Sequence, residues 1–281
     1  MMTEFIQNLC WKLEENDPKF TSLTVESSMF YSTEMPAFLQ ALKNNRTLKK
    51  LSFYGVHFGV QPHSRRPQKR CMHTLAQIIT QKGTQNPPLE SLTFWKNGLD
   101  TEDIQILTEA LKVASNIRSL RFIGNTGLNS QNITLLADVI RQSKSIEELH
   151  LFCEPIQDEG AIALASALEY NTVLETLKLF LTGISSKGVA AISRALAKNT
   201  TLTSLELQGN TFDKKMWTVM DQRLEFNRQL AQAMQGTSRL ITPPKRPTIT
   251  QKKALYRLLQ VKPNIQFVDD EPLPIPMANV R

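Results

Sequence analysis

One short pattern, apolar-x-x-apolar-x-apolar, recurs seven times and governs what this chain can fold into. It stands at Phe20/Leu23/Val25, Leu48/Leu51/Phe53, Leu89/Leu92/Phe94, Ile117/Leu120/Phe122, Ile146/Leu149/Leu151, Leu174/Leu177/Leu179 and Leu202/Leu205/Leu207. The first positions of successive copies lie 28, 41, 28, 29, 28 and 28 residues apart. The single long interval exceeds its neighbours by 13 residues, so one repeat carries insertions. Repeat arithmetic places them within 59–70 and at 84–88. A fixed period of this length is the signature of a stacked-repeat architecture.

Each copy continues into a second half with a different period. After Ile146 come Ile156, Gly160, Leu164, Leu168 and then Asn171; after Leu174 come Ile184, Gly188, Ile192, Leu196 and Asn199 at the same offsets. The first copy offers Phe30, Phe38, Leu42 and Asn45, and the last Phe212, Met216, Met220, Leu224 and Asn227. Period two followed by i, i+4 spacing predicts a short strand and then an amphipathic helix. Neither half can bury its apolar face alone, so neighbouring repeats must stack into one continuous core.

The register resembles the ribonuclease-inhibitor-like class of leucine-rich repeats over residues 20 to 228. The resemblance implies an α/β solenoid, a horseshoe of about seven repeats with a concave parallel β-sheet and convex helices. It also implies a turn asparagine three residues after the last buried strand position. Asn97, Asn125 and Asn210 occupy that place, whereas Ser28, Val56, Glu154 and Thr182 replace it elsewhere. The domain organisation that follows is an N-terminal cap helix within 1–19, carrying Leu9, Leu13 and Asn16, a solenoid over 20–236, and a basic segment over 237–281. In the last helix Lys214 to about Gln235 is expected to be helical, with Gly236 as the stop. In the final segment Pro243, Pro244 and Pro247 mark a linker. The run QKKALYRLLQ at 251–260 is a candidate basic helix, and the residues after it are expected to be extended or disordered.

Charge is concentrated outside the repeats. The net charge is +7, but residues 59–70 supply +4 and residues 237–281 supply +5, which leaves −2 for the remainder. No nucleic acid partner is expected, because that function needs a basic patch spread over a folded face. No transmembrane span is expected, since no apolar run has the needed length, and no secretory leader is expected from the pattern of residues 1–12. Three cysteines, Cys10, Cys71 and Cys153, form no disulfide framework, which points to a reducing, cytoplasmic setting.

The residues between buried strand positions should face the concave side, because side chains alternate along a strand. The position after the last buried residue reads Glu26, Tyr54, Trp95, Ile123, Phe152, Phe180 and Gln208, with Leu181 extending the apolar run. The neighbouring row reads Thr24, Ser52, Thr93, Arg121, His150, Lys178 and Glu206. An in-register apolar stripe on an open face marks an interaction surface, and aromatic residues dominate binding hot spots. The expected partner-binding set is therefore Tyr54, Trp95, Ile123, Phe152, Phe180 and Leu181 with Arg121, His150 and Lys178. Self-association is the secondary use of such a stripe; a monomer is expected. The basic loop, Arg65, Arg66, Lys69 and Arg70, is a second candidate for an acidic partner, a phosphate or weak contact with an anionic membrane. Residues 245–257 would share any such membrane contact.

Catalytic and metal chemistry find little support. His57, His63, Cys71 and His73 lack the tight pairing of zinc sites. His150 and Cys153 share a repeat, but no third residue is positioned to orient a base. No phosphate-binding loop, G-x-S-x-G or H-E-x-x-H is present. No catalytic residue, metal or other cofactor is expected. The one enzymatic alternative is a GTPase activator, since the Ran GTPase-activating protein has a similar solenoid; Arg65, Arg66 or Arg121 would then be inserted beside a nucleotide. The acidic cluster Asp269, Asp270 and Glu271 resembles the signals of type IV secreted effectors of intracellular bacteria. That resemblance implies translocation into a host cell cytosol and a host protein partner.

Overall fold

A computed structural model describes residues 3–26, 34–56, 58, 70–80, 89–125 and 127–237. Seven strands alternate with helices through this length: β1 (Ser22–Glu26), β2 (Lys50–Tyr54), β3 (Ser91–Trp95), β4 (Ser119–Ile123), β5 (Glu148–Phe152), β6 (Thr176–Phe180) and β7 (Ser204–Glu206). The helices are α1 (Glu4–Glu15), α2 (Met35–Asn44), α3 (Arg70–Thr80), α4 (Thr101–Val113), α5 (Ile133–Gln142), α6 (Gln157–Leu168), α7 (Ser186–Lys198) and α8 (Lys214–Thr237). The strands form one parallel sheet in sequence order, β1 to β7. Register follows the repeat, as Leu51↔Leu92↔Leu120↔Leu149↔Leu177↔Leu205 shows. This is the leucine-rich-repeat solenoid that the repeat demands.

Stacked repeats of this kind have a reason to curve. A strand occupies roughly 4.8 Å of sheet, whereas packed helices need roughly 8–10 Å between axes, so the helical layer must take the outer circumference. Between the two layers runs a single core. Its first half is a spine of phenyl rings: Phe53 stacks on Phe94 at 5.7 Å, and Phe94 on Phe122 at 5.5 Å. From β5 onward leucines take over, with Leu149, Leu151, Leu177 and Leu179 all buried. The third apolar position of each copy thus stacks on its equivalent in the next repeat.

Polar side chains join one repeat to the next. Asn45, Asn171 and Asn199, each just past the end of a helix, donate from Nδ2 to Leu13 O at 2.8 Å, Ile140 O at 2.6 Å and Leu168 O at 2.9 Å. Their Oδ1 atoms accept from backbone N–H groups two and three residues on. Asp158 on α6 caps the neighbouring helix α7, accepting from Ser185 N at 2.8 Å, Ser185 Oγ at 2.6 Å and Gly188 N at 2.9 Å. The approach there is close enough that a Cβ on Gly188 would stand 2.8 Å from Ala161 Cβ. Burial alone would raise the Asp158 carboxyl, yet the bonds from Ser185 and Gly188 hold it below its usual range.

At the first end, α1 buries Ile6, Leu9 and Leu13 against the core and stops at Asn16, whose φ of 56° is left-handed. The last helix runs through Gly236 to Thr237 rather than stopping before it. Arg70, expected within the basic loop, opens α3 instead. Arg65, Arg66 and Lys69, the insertion at 84–88, Ser28, His57, His63 and everything expected of 238–281 lie outside the described residues.

Candidate partner-binding surface

Strand pairing brings the expected stripe together. Glu26↔Tyr54, Tyr54↔Trp95, Trp95↔Ile123, Ile123↔Phe152 and Phe152↔Phe180 are successive register partners across β1 to β6. Tyr54, Trp95, Phe180 and Leu181 are exposed, Trp95 to 44% and Leu181 to 48%, while Ile123 and Phe152 are half-buried. Two aromatic pairs result: Tyr54 meets Trp95 edge-on at 4.7 Å, and Phe152 meets Phe180 edge-on at 6.0 Å. Ile123, a smaller side chain, lies between them. Gln208 falls beyond β7, which ends at Glu206, so the stripe closes there on a turn.

A backbone ladder fixes the edge of the stripe. The residue after each stripe position, Gly55, Lys96, Gly124, Cys153, Leu181 and Gly209, has positive φ. Its N–H donates to the carbonyl of the stripe residue one repeat on: Gly55 to Trp95, Lys96 to Ile123, Gly124 to Phe152, Cys153 to Phe180 and Leu181 to Gln208, at 2.8–3.0 Å. Gly209 also has little room for a side chain. A Cβ there would stand 2.5 Å from Leu181 Cδ2, because the Leu181 side chain lies over it.

The adjoining polar row differs from expectation at one residue. His150 is only 7% exposed, so it does not present its ring to the open face. Arg121 and Lys178 are its register neighbours on either side, and the Phe152 ring centroid is 5.8 Å away. Burial, then the nearby cations Arg121 and Lys178, push its pKa down to about 4, so the imidazole is neutral. Its Nε2 has no hydrogen-bond partner and stands 3.8 Å from Glu148 Oε2. That same carboxylate oxygen accepts from Ser119 Oγ at 2.9 Å and Arg121 Nη2 at 3.3 Å. Burial opposes ionisation of Glu148, but these two bonds win and keep its carboxyl below the ordinary range. Lys178 pairs with Glu206 at 2.7 Å. The expected basic centre is therefore neutralised by glutamates one strand further on, Glu206 in register with Lys178 and Glu148 two residues before the register partner of Arg121.

Beneath the ladder lies the turn position three residues after the last buried strand residue. Asn97 Oδ1 accepts from Val56 N, Asn125 Oδ1 from Asn97 N and Asn210 Oδ1 from Thr182 N, at 2.9–3.1 Å. Glu154 serves the same place with a carboxyl: its Oε1 accepts from Asn125 N at 2.8 Å and Asn125 Nδ2 at 3.0 Å. Its Oε2 is buried without a partner, and burial drives the Glu154 pKa up to about 8.

Residues that would suggest catalysis do not converge. Cys153 is exposed in a left-handed turn while His150 is buried in the sheet. Cys71 is buried, with its thiol pushed up to about 11 by desolvation and then by Asp103, whereas His73 is exposed on α3. Among the described residues no three His, Cys, Asp or Glu side chains are grouped to hold a metal, and no helix is long and apolar enough to cross a membrane. Sequence reasoning missed Lys96, Glu148, Glu154 and Asp158. For Lys96 a signal existed, since Gly55, Gly124 and Gly209 mark the same repeat offset as a special backbone position.

Fold and surface together define a leucine-rich-repeat solenoid. A family model described as Leucine Rich repeat matches residues 142–165, 170–193 and 198–215, within the last three repeats. No curated protein matches the chain. Among solved structures, "Leiomodin-1 Actin-Binding Site 2 (ABS2)" is 16% identical, covering 85% of this chain and 99% of that one, with a TM-score of 0.34. The tropomodulin C-terminal domain of Caenorhabditis elegans is 10% identical over 83% of this chain and 98% of that one, with a TM-score of 0.32. Leucine-rich-repeat domains generally serve as protein–protein interaction modules.

Proposed function

We propose that this chain is a non-enzymatic interaction module that grips a protein partner on its concave apolar stripe. The observation carrying this reading is the run Tyr54, Trp95, Ile123, Phe152 and Phe180 in unbroken register, with large rings left exposed on a rigid sheet. Aromatic side chains held in place lose little conformational freedom on binding, which is why they act as anchors. For the GTPase-activator alternative, Arg121 is paired with Glu148 at 3.3 Å, while Arg65 and Arg66 lie outside the described residues. Affinity capture from eukaryotic cell lysate, wild type beside a Trp95→Ser/Phe152→Ser double variant, tests the module. A protein retained by the wild type and lost by a variant with unchanged circular dichroism supports it; equal capture by both rejects it.

The Asp269, Asp270 and Glu271 cluster favours a bacterial effector delivered to a host cytosol as the biological setting. A translocation reporter fused to residues 237–281 should enter host cells, and should fail to do so once these three acids become alanine.

A further inference from the structure

Resting on the partner-binding reading of the stripe, we infer that its occupant is an amphipathic α-helix of about 13 residues, carrying acidic side chains on the border of its apolar face that meets Lys96.

The case for a helix comes from backbone chemistry. The stripe crosses the middle of the sheet, where each strand from β2 to β6 pairs with a neighbour on both sides. The next backbone groups, in the turns, are also engaged, Gly55 to Leu181 donating to the following repeat. An extended segment laid over this stripe would bring its own N–H and C=O groups onto aromatic rings with no backbone partner to receive them. Buried unpaired backbone groups are costly, and strand addition works only at a free sheet edge. A helix meets its own backbone needs and presents side chains alone.

Length follows from strand spacing. The apolar run extends from Tyr54 on β2 to Phe180 on β6 and is bounded by Glu26 on β1 and Gln208 past β7. Four strand intervals of ~4.8 Å give ~19 Å, which a helix rising 1.5 Å per residue covers in ~13 residues. Ile123 forms the low point between the Tyr54–Trp95 and Phe152–Phe180 pairs, suited to a large central side chain such as Leu or Phe.

Charge at the turn-side border selects acids. On the turn side, Lys96 is exposed and makes no ion pair with any described residue. On the other side, Arg121 is already paired with Glu148 and Lys178 with Glu206, so that border offers no unpaired cation. Lys96 directly follows Trp95 and so flanks the Trp95–Ile123 segment. An acidic residue on the turn-side border of a docked helix gains a cation that the described residues leave without an ion pair, whereas a basic residue there meets like charge.

A displayed library of random 16-residue peptides, selected on the wild type and depleted on the folded Trp95→Ser/Phe152→Ser variant, tests this. The expected winners carry apolar residues at i, i+3 or i+4, i+7 and i+11 with Asp or Glu beside them. A central proline should weaken synthetic winners at least about tenfold, since it breaks a helix. Lys96→Gln should weaken them about two- to fivefold. Winners with period-two or proline-rich patterns, binding that tolerates proline, or enrichment of basic borders would overturn the helix while the stripe reading stands. Winners held equally by the double variant, or no enriched family, would overturn both.

Discussion

Replacing Glu154 by glutamine should stabilise this protein, increasingly so as pH rises. In the turn ladder Asn97, Asn125 and Asn210 each accept a backbone N–H and also donate from Nδ2 to a strand carbonyl, Phe53 O at 3.1 Å, Phe94 O at 2.9 Å and Leu179 O at 2.6 Å. Glu154 can accept from Asn125 but lacks that donor when ionised, and the carbonyl in the equivalent place is Phe122 O. Its carboxyl moves from an ordinary 4.5 to about 8 in the fold, chiefly through burial, which outweighs the bonds from Asn125. The folded state therefore holds this proton between those values while the unfolded chain has released it. Stability must fall as pH rises through that window and level off above pH 8. At about 1.4 kcal/mol per pKa unit, the penalty reaches ~3 kcal/mol at pH 7 and ~5 kcal/mol above pH 8. Glu154→Gln keeps the size, removes the ionisation and supplies an N–H donor in every condition. Urea denaturation at pH 5, 7 and 9 should show the variant and wild type nearly equal at pH 5, with the gap opening toward pH 9. A constant difference across that range, or a variant less stable at pH 9, would refute the reasoning.

Two further outcomes follow from contacts between repeats. Asp158→Ala should cost about 1–2 kcal/mol, the usual value of a lost helix cap, because Ser185 N and Gly188 N lose their acceptor together; since the fold depresses this carboxyl, the contribution is present above the ordinary carboxylate pKa and fades below it, which urea titrations at pH 3 and pH 7 would reveal. Gly209→Ala should destabilise by about 1–2 kcal/mol, from a φ of +76° and a Cβ 2.5 Å from Leu181 Cδ2. Leu181→Ala should relieve the steric part, so a double-mutant cycle read by thermal melting should show coupling between the two positions, and additivity would contradict the overlap.

Much of the architecture was legible from one row of residues. Leu51, Leu92, Leu120, Leu149, Leu177 and Leu205 recur because each strand must bury the same face against the same neighbour, and a period-two pleat then dictates that Tyr54, Trp95, Phe152 and Phe180 share the other side. Those facts need only alternation along a strand and a constant repeat length. The hydrogen-bonding partners were not legible, because they join different repeats. His150 reads as an open-face residue, yet it is buried beside the Phe152 ring and between strands carrying Arg121 and Lys178. Arg121 and Lys178 read as free cations, but Glu148 and Glu206 reach back from the next strand. Glu154 reads as a defect in an asparagine series, and only its burial beside Asn125 makes it a carboxyl that retains its proton. Sequence by itself determined the repeat, the register and the stripe, since these come from hydrophobic burial repeated at a fixed interval. Tertiary structure decided ionisation, burial of polar groups and the charge at the stripe's borders, since each depends on atoms that stacking brings together from repeats about 28 residues apart.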